Sequence, residues 1–137
     1  MKAILVSMGS FVAAAGLIVA CSPETMSATT ARGDYMEFCV DCHGPEGKGD
    51  GVLAQVLTPR PADLTQISDR NDGKFSQSYV MSHIDGYDTP QSGTAMPPFG
   101  DLLEGKTVLY DSGDGIATPT PERLVALMEY IASLQDG

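Results

Sequence analysis

Residues 39–51 read CVDCHGPEGKGDG, and their reading decides the fold. Cys39 and Cys42 stand three apart, His43 follows at once, and Gly44, Gly47, Gly49 and Gly51 come after. Cys-x-x-Cys alone serves a redox dithiol or half a zinc site, whereas Cys-x-x-Cys-His reads as a c-type haem attachment. The chemistry explains the spacing. Each thiol adds to one haem vinyl group, so both sulfurs must face one porphyrin edge, and helix positions three apart share a face. The next residue then brings its imidazole under the iron. Cys39, Cys42 and His43 are therefore the first candidate site residues. A structural zinc site needs four ligands, and only Cys21 and His83 remain to supply them. A thioredoxin-like dithiol would want a strand before the motif. Instead Tyr35, Phe38, Cys39 and Cys42 form a helical stripe.

The chain opens MKAILVSMGSFVAAAGLIVAC, one lysine followed by no charge from Ala3 to Ala20. That is a secretory signal pattern, set aside from fold reasoning. Its end, Ile18-Val19-Ala20-Cys21, resembles a bacterial lipobox. The resemblance implies a lipoprotein signal peptide at 1–20 and lipid on Cys21, which resolves the odd cysteine count. The alternative is an uncleaved membrane anchor, since the apolar stretch nearly spans a bilayer. Both tether the protein outside the cytoplasm. Residues 21–29 then form a lipidated N-terminus and short polar tether, and residues 30–137 a single domain.

Such a domain buries only a modest core alone, which a porphyrin would enlarge. Eighteen acidic residues against 8 basic ones give a formal net charge of −10. Losing residues 1–20 removes one lysine and deepens the excess. This argues against nucleic acid and against charge-driven binding to anionic lipid. It suits redox partners with basic docking patches, and it equally serves plain solubility. The chain has no internal repeat and no low-complexity tract.

A first helix is expected over about 30–41, capped by Thr29 or Thr30. SQSYVMSHIDG predicts another over 76–85, with Gly86 to end it. TPERLVALMEYIASLQ predicts the last, with Thr120 as N-cap, Pro121 at the first helical position and Glu122 in the first turn. Between these, Val108–Tyr110 and Ile116–Thr118 flank an Asp/Gly turn and read as a β-hairpin. Asp111 and Asp114 there are candidate Ca²⁺ ligands or simply turn formers. The fold class is mainly α, with a small β-hairpin before the C-terminal helix.

Over about residues 30–135 the chain resembles class I cytochromes c. The resemblance rests on CHGPEGKGDG, on the later GTAMPPFGDLL, and on a small residue and an aromatic, Ala31 and Tyr35, ahead of the first cysteine. The family usually has glycine where Ala31 stands. It implies a cytochrome c fold with one covalently bound haem c, whose N-terminal helix crosses the C-terminal one at Leu127 and Tyr130. It also implies a methionine ligand in a Met-Pro stretch. The residues agree. Met26 lies in the tether, Met36 beside the haem motif, and Met81 and Met128 on predicted helices. Met96 alone sits in a loop, stiffened by Pro97 and Pro98.

His83 is the competing ligand, although at i+4 from Tyr79 it suits packing along its helix. A thioether raises the iron's potential, whereas an open position allows oxygen or peroxide chemistry. The other nitrogen of His43 needs an acceptor. In the family a proline carbonyl serves, and Pro59 and Pro61 are available, with Pro61 preferred. Arg60, Arg70, Tyr79 and Tyr87 are candidates for the haem propionates or plain surface. The expected function is a membrane-tethered carrier of single electrons between a donor and an acceptor. It would work on the periplasmic side of a bacterial membrane, with the outer membrane preferred. The alternative is a haem enzyme or subunit, of peroxidase or reductase type, with a displaceable sixth ligand. The sequence offers no paired carboxylates, nucleophile–base arrangement or distal His–Arg pattern for it, and no catalytic residue is assigned.

Overall fold

The structure, a computed structural model, describes residues 23–87 and 96–135. The expected signal peptide at 1–20 and the lipidation of Cys21 lie outside the described residues. Helix α1 runs Pro23–Phe38, so it begins well inside the stretch expected to be a tether. Proline is well suited to a helix's first position, where its missing N–H costs nothing. Helix α1 also stops short of the expected Asp41. Cys39 joins it to a single-turn helix α2, Val40–His43. The link stays nearly helical, with Cys39 N–H donating to Tyr35 O at 2.9 Å and His43 N–H to Cys39 O at 2.8 Å.

Two short 3₁₀ turns follow, Leu64–Gln66 and Asp69–Asn71. Helix α3, Gln77–Asp85, lies where the sequence put it. Ser76 Oγ accepts from Tyr79 N–H, and Gly86 ends the helix at φ 95°, a conformation that favours glycine. A short helix α4, Gly100–Leu103, precedes the hairpin of β1, Thr107–Tyr110, and β2, Thr118–Pro121. Helix α5 covers Glu122–Ser133.

The strands pair antiparallel from Thr107 opposite Pro121 to Tyr110 opposite Thr118. The second strand is thus shifted toward the C-terminus from the expected Ile116–Thr118. Asp114 Oδ1 accepts from Ile116 N–H at 2.9 Å, which holds Ile116 in the loop. The same shift moves Thr120 into β2, so it does not cap α5. Its hydroxyl donates to Thr118 O at 3.1 Å instead, and Pro121 occupies the position before the helix without a side-chain cap.

The main packing is α1 against α5. Ala31 is 3% exposed, Tyr35 and Met128 0%, and Leu127 1%. The Tyr35 and Tyr130 rings meet at 5.2 Å between centroids, tilted by 54°, within the range aromatic pairs prefer. Burying side chains of this size contributes about 1.5–3 kcal/mol each. Val80, Met81 and Ile84 of α3 join the same core. Among the described residues no helix is long and apolar enough to cross a membrane.

Candidate functional site

Helix α1 orients the cysteine–histidine segment through its last turns. Tyr35 is buried, which pushes its phenol well above the ordinary value. The hydroxyl therefore stays a donor, and it bonds Gly44 O at 2.7 Å, directly beyond His43. The glycines then fold the loop back on the segment it follows. Gly49 N–H donates to His43 O at 2.9 Å and Gly51 N–H to Cys42 O at 3.2 Å. Gly49 has φ +69°, and a Cβ there would lie 2.5 Å from Pro61 O. A Cβ on Gly51 would run into the Asp41 carbonyl. Glycine is needed because backbone meets backbone here.

That close approach brings residues 61–62 to the histidine. His43 Nδ1 lies 2.9 Å from Ala62 O. A carbonyl only accepts, so Nδ1 carries the proton and Nε2 keeps its lone pair for a metal. The acceptor is thus Ala62 rather than the expected Pro61 or Pro59. Pro61 O instead lies close against the Gly49 backbone. Burial lowers the His43 pKa, the bond to Ala62 opposes the shift, and the nearby His83 adds to it. The imidazole is therefore neutral at ordinary pH. Cys39 is buried, and burial, then the neighbouring Cys42 and Asp34, push its thiol up to about 12. Cys42 is half-buried, and both thiols are free.

These side chains face two adjoining cavities of about 530 and 280 Å³. Cys39, His43, His83 and Met96 line both. Cys42 joins the smaller one, with Pro97 and Phe99 beside Met96. Leu64 is shared, and Ile67, Val80, Ile84 and Ile131 complete apolar walls for the larger. Four of the five residues predicted for the site thus line the smaller cavity together, and the fifth, Cys21, lies outside the described residues. The donor set is two thiols, an imidazole with one nitrogen free, and a thioether. It fits a flat apolar group bearing a soft or borderline metal. It does not build a four-ligand zinc site, and among the described residues no group of three or more His, Cys, Asp or Glu could hold a metal ion.

The weaker candidates divide. Arg70 lines the larger cavity and donates to Asp63 O at 2.8 Å. Arg60 lines the smaller one and donates to Gly49 O at 3.3 Å. Tyr79 reaches the larger cavity and stacks on His83 at 5.7 Å, as its spacing on α3 predicts. Tyr87 is exposed and lines neither. Asp111 and Asp114 are ordinary turn formers. Asp111 Oδ1 accepts from Gly113 and Gly115 N–H at 2.9 and 3.0 Å.

One structural pair was not foreseen. Arg123 at the start of α5 grips Asp34 of α1 through two bonds of 2.6 and 3.0 Å, with Asp34 only 7% exposed. Its remaining nitrogen donates to Leu102 O at 2.8 Å. The signal available was a carboxylate between Ala31 and Tyr35, on a face that must be buried.

The family model for cytochrome c matches residues 31–135. No curated protein matches the chain.

Proposed function

This chain belongs to the cytochrome c family, and from that premise we propose that it carries single electrons between redox proteins through one covalently bound haem c. Domains of this family bind haem and are generally electron carriers rather than catalysts. The observation that carries the finer reading is the convergence of Cys39, Cys42, His43 and Met96 on the smaller apolar cavity. When bound, the haem iron supplies a one-electron couple whose potential a Met/His ligand pair raises. The chain does the rest. Cys39 and Cys42 hold the group through thioethers, and Ala62 O fixes the His43 ring so that Nε2 is presented. Met96 supplies its sulfur from a segment restrained by Pro97 and Pro98. The apolar walls exclude water, and Arg60 and Arg70 are cations at the cavity for the propionates.

With Met96 holding its sulfur toward the iron, a substrate would have no access to the metal, which disfavours the peroxidase or reductase reading. Lipid on Cys21 holds the domain at a bacterial membrane on the periplasmic side. The acidic surface favours donors and acceptors with basic patches, meeting it through a small transient interface. Two measurements on the purified holoprotein test this. The haem must resist extraction by acidified organic solvent. The oxidised protein must show the weak sulfur-to-iron absorption band, while the reduced protein fails to bind carbon monoxide. Ready binding of carbon monoxide overturns the carrier reading in favour of an enzyme. Intact-mass analysis tests the anchor separately, since a mature chain without acyl groups removes it.

A further inference from the structure

His83 occupies a position that the carrier reading does not use. It belongs to α3, whose rotation is fixed by Val80, Met81 and Ile84 in the core. That leaves Tyr79 and His83 toward the cavity side, with the two rings stacked at 5.7 Å. The segment carrying Met96 is tied to the same helix. Phe99 N–H donates to Ile84 O at 2.9 Å, and Gly100 packs so closely on Asp85 that a Cβ would lie 3.0 Å from its carbonyl oxygen. Ile84 follows His83 directly and Phe99 follows Met96 by three, so the two residues are carried on backbone segments tied to each other. Both line both cavities together with His43.

From this shared lining we infer that His83 is a second iron ligand held in reserve, which would take the place of the Met96 sulfur whenever it leaves the iron. The inference rests on the haem reading above. Imidazole is among the commonest metal ligands, and unlike a thioether it does not favour the ferrous state. The exchange therefore lowers the potential and keeps the metal closed to small molecules. No electron is consumed, because one lone-pair donor replaces another.

The test compares wild type with Met96→Leu, a swap that conserves volume, and with Met96→Leu/His83→Ala, all as covalent holoproteins. Met96→Leu is expected to lose the sulfur-to-iron band yet remain low-spin. It should show the near-infrared and electron-paramagnetic signature of two imidazoles and form no carbon monoxide adduct. The double variant is expected to become high-spin and bind carbon monoxide, and added imidazole should restore its low-spin spectrum. If Met96→Leu is already high-spin and binds carbon monoxide like the double variant, the reserve ligand is excluded while Met96 remains the native ligand. If Met96→Leu keeps the sulfur band, the ligand assignment itself fails and the inference with it. Should Met96→Leu not accumulate, Met96→Ala with its own double variant reads the same contrast.

Discussion

The two ends of the molecule are built differently. Where α1 crosses α5, protein packs on protein: Tyr35, Leu127 and Met128 are 2% exposed or less. Elsewhere, residues of α3, Ile131 of α5, short turns and the 96–99 segment line cavities of about 530 and 280 Å³. The first end is complete in the polypeptide itself. The second is a set of walls whose contacts are supplied by whatever fills them. The closed end nevertheless connects to the open one, because Tyr35 reaches from the crossing to the Gly44 carbonyl beside His43.

The contrast breaks first at the cysteines. Cys39→Ser or Cys42→Ser is expected to abolish most stable holoprotein, measured as haem per chain after purification. The apoprotein should still form the α1–α5 packing, seen as protected amides in both helices. Next come paired truncations. Leu127→Ala at the crossing should cost the apoprotein about 2–5 kcal/mol. Leu64→Ala on the cavity wall should cost much less in the apoprotein and more in the holoprotein. Equal costs in apoprotein denaturation curves would erase the distinction.

Arg123→Met strands the buried Asp34 carboxylate. The arginine side chain is 37% exposed, so we expect about 2 kcal/mol, below the roughly 3–5 kcal/mol of a fully buried pair. Asp34→Asn in the same chain should recover part of it. Tyr35→Phe removes one buried hydrogen bond and leaves Gly44 O unpaired, for about 1–3 kcal/mol. A small shift in the His43 resonances should accompany it.

The smallest effect is at the hairpin. Gly113 and Gly115 N–H hold the Asp111 carboxyl below its ordinary value. Its contribution is therefore complete above the ordinary carboxylate range and is lost as pH falls through the lowered value. The group is fully exposed, so the change should appear as local shifts of those two amides rather than as unfolding.

Much of the site was legible because covalent chemistry fixes spacing. Cys39, Cys42 and His43 admit few other uses, and Pro97–Pro98 marked Met96 by removing backbone freedom. Helix α3 was legible from its end residues, Ser76 and Gly86. What failed turned on one- or two-residue choices of backbone direction. Successive carbonyls point to different sides, so Ala62 rather than Pro61 meets His43 through a change that composition does not record. Asp114 captures the Ile116 amide and moves the strand. The Asp34–Arg123 pair joins segments 89 positions apart, and no local pattern announces such partners.

The Asp34–Arg123 grip also sets an order of events. Its two members lie 89 positions apart, so the crossing that closes the domain forms only after everything between them has been made. Contacts of such separation are late and slow to close. While the chain emerges, Cys39 and Cys42 are followed by loops that have nothing yet to pack against. Any group joined to both thiols at that stage would meet an open chain, which the final helix would then close into the domain.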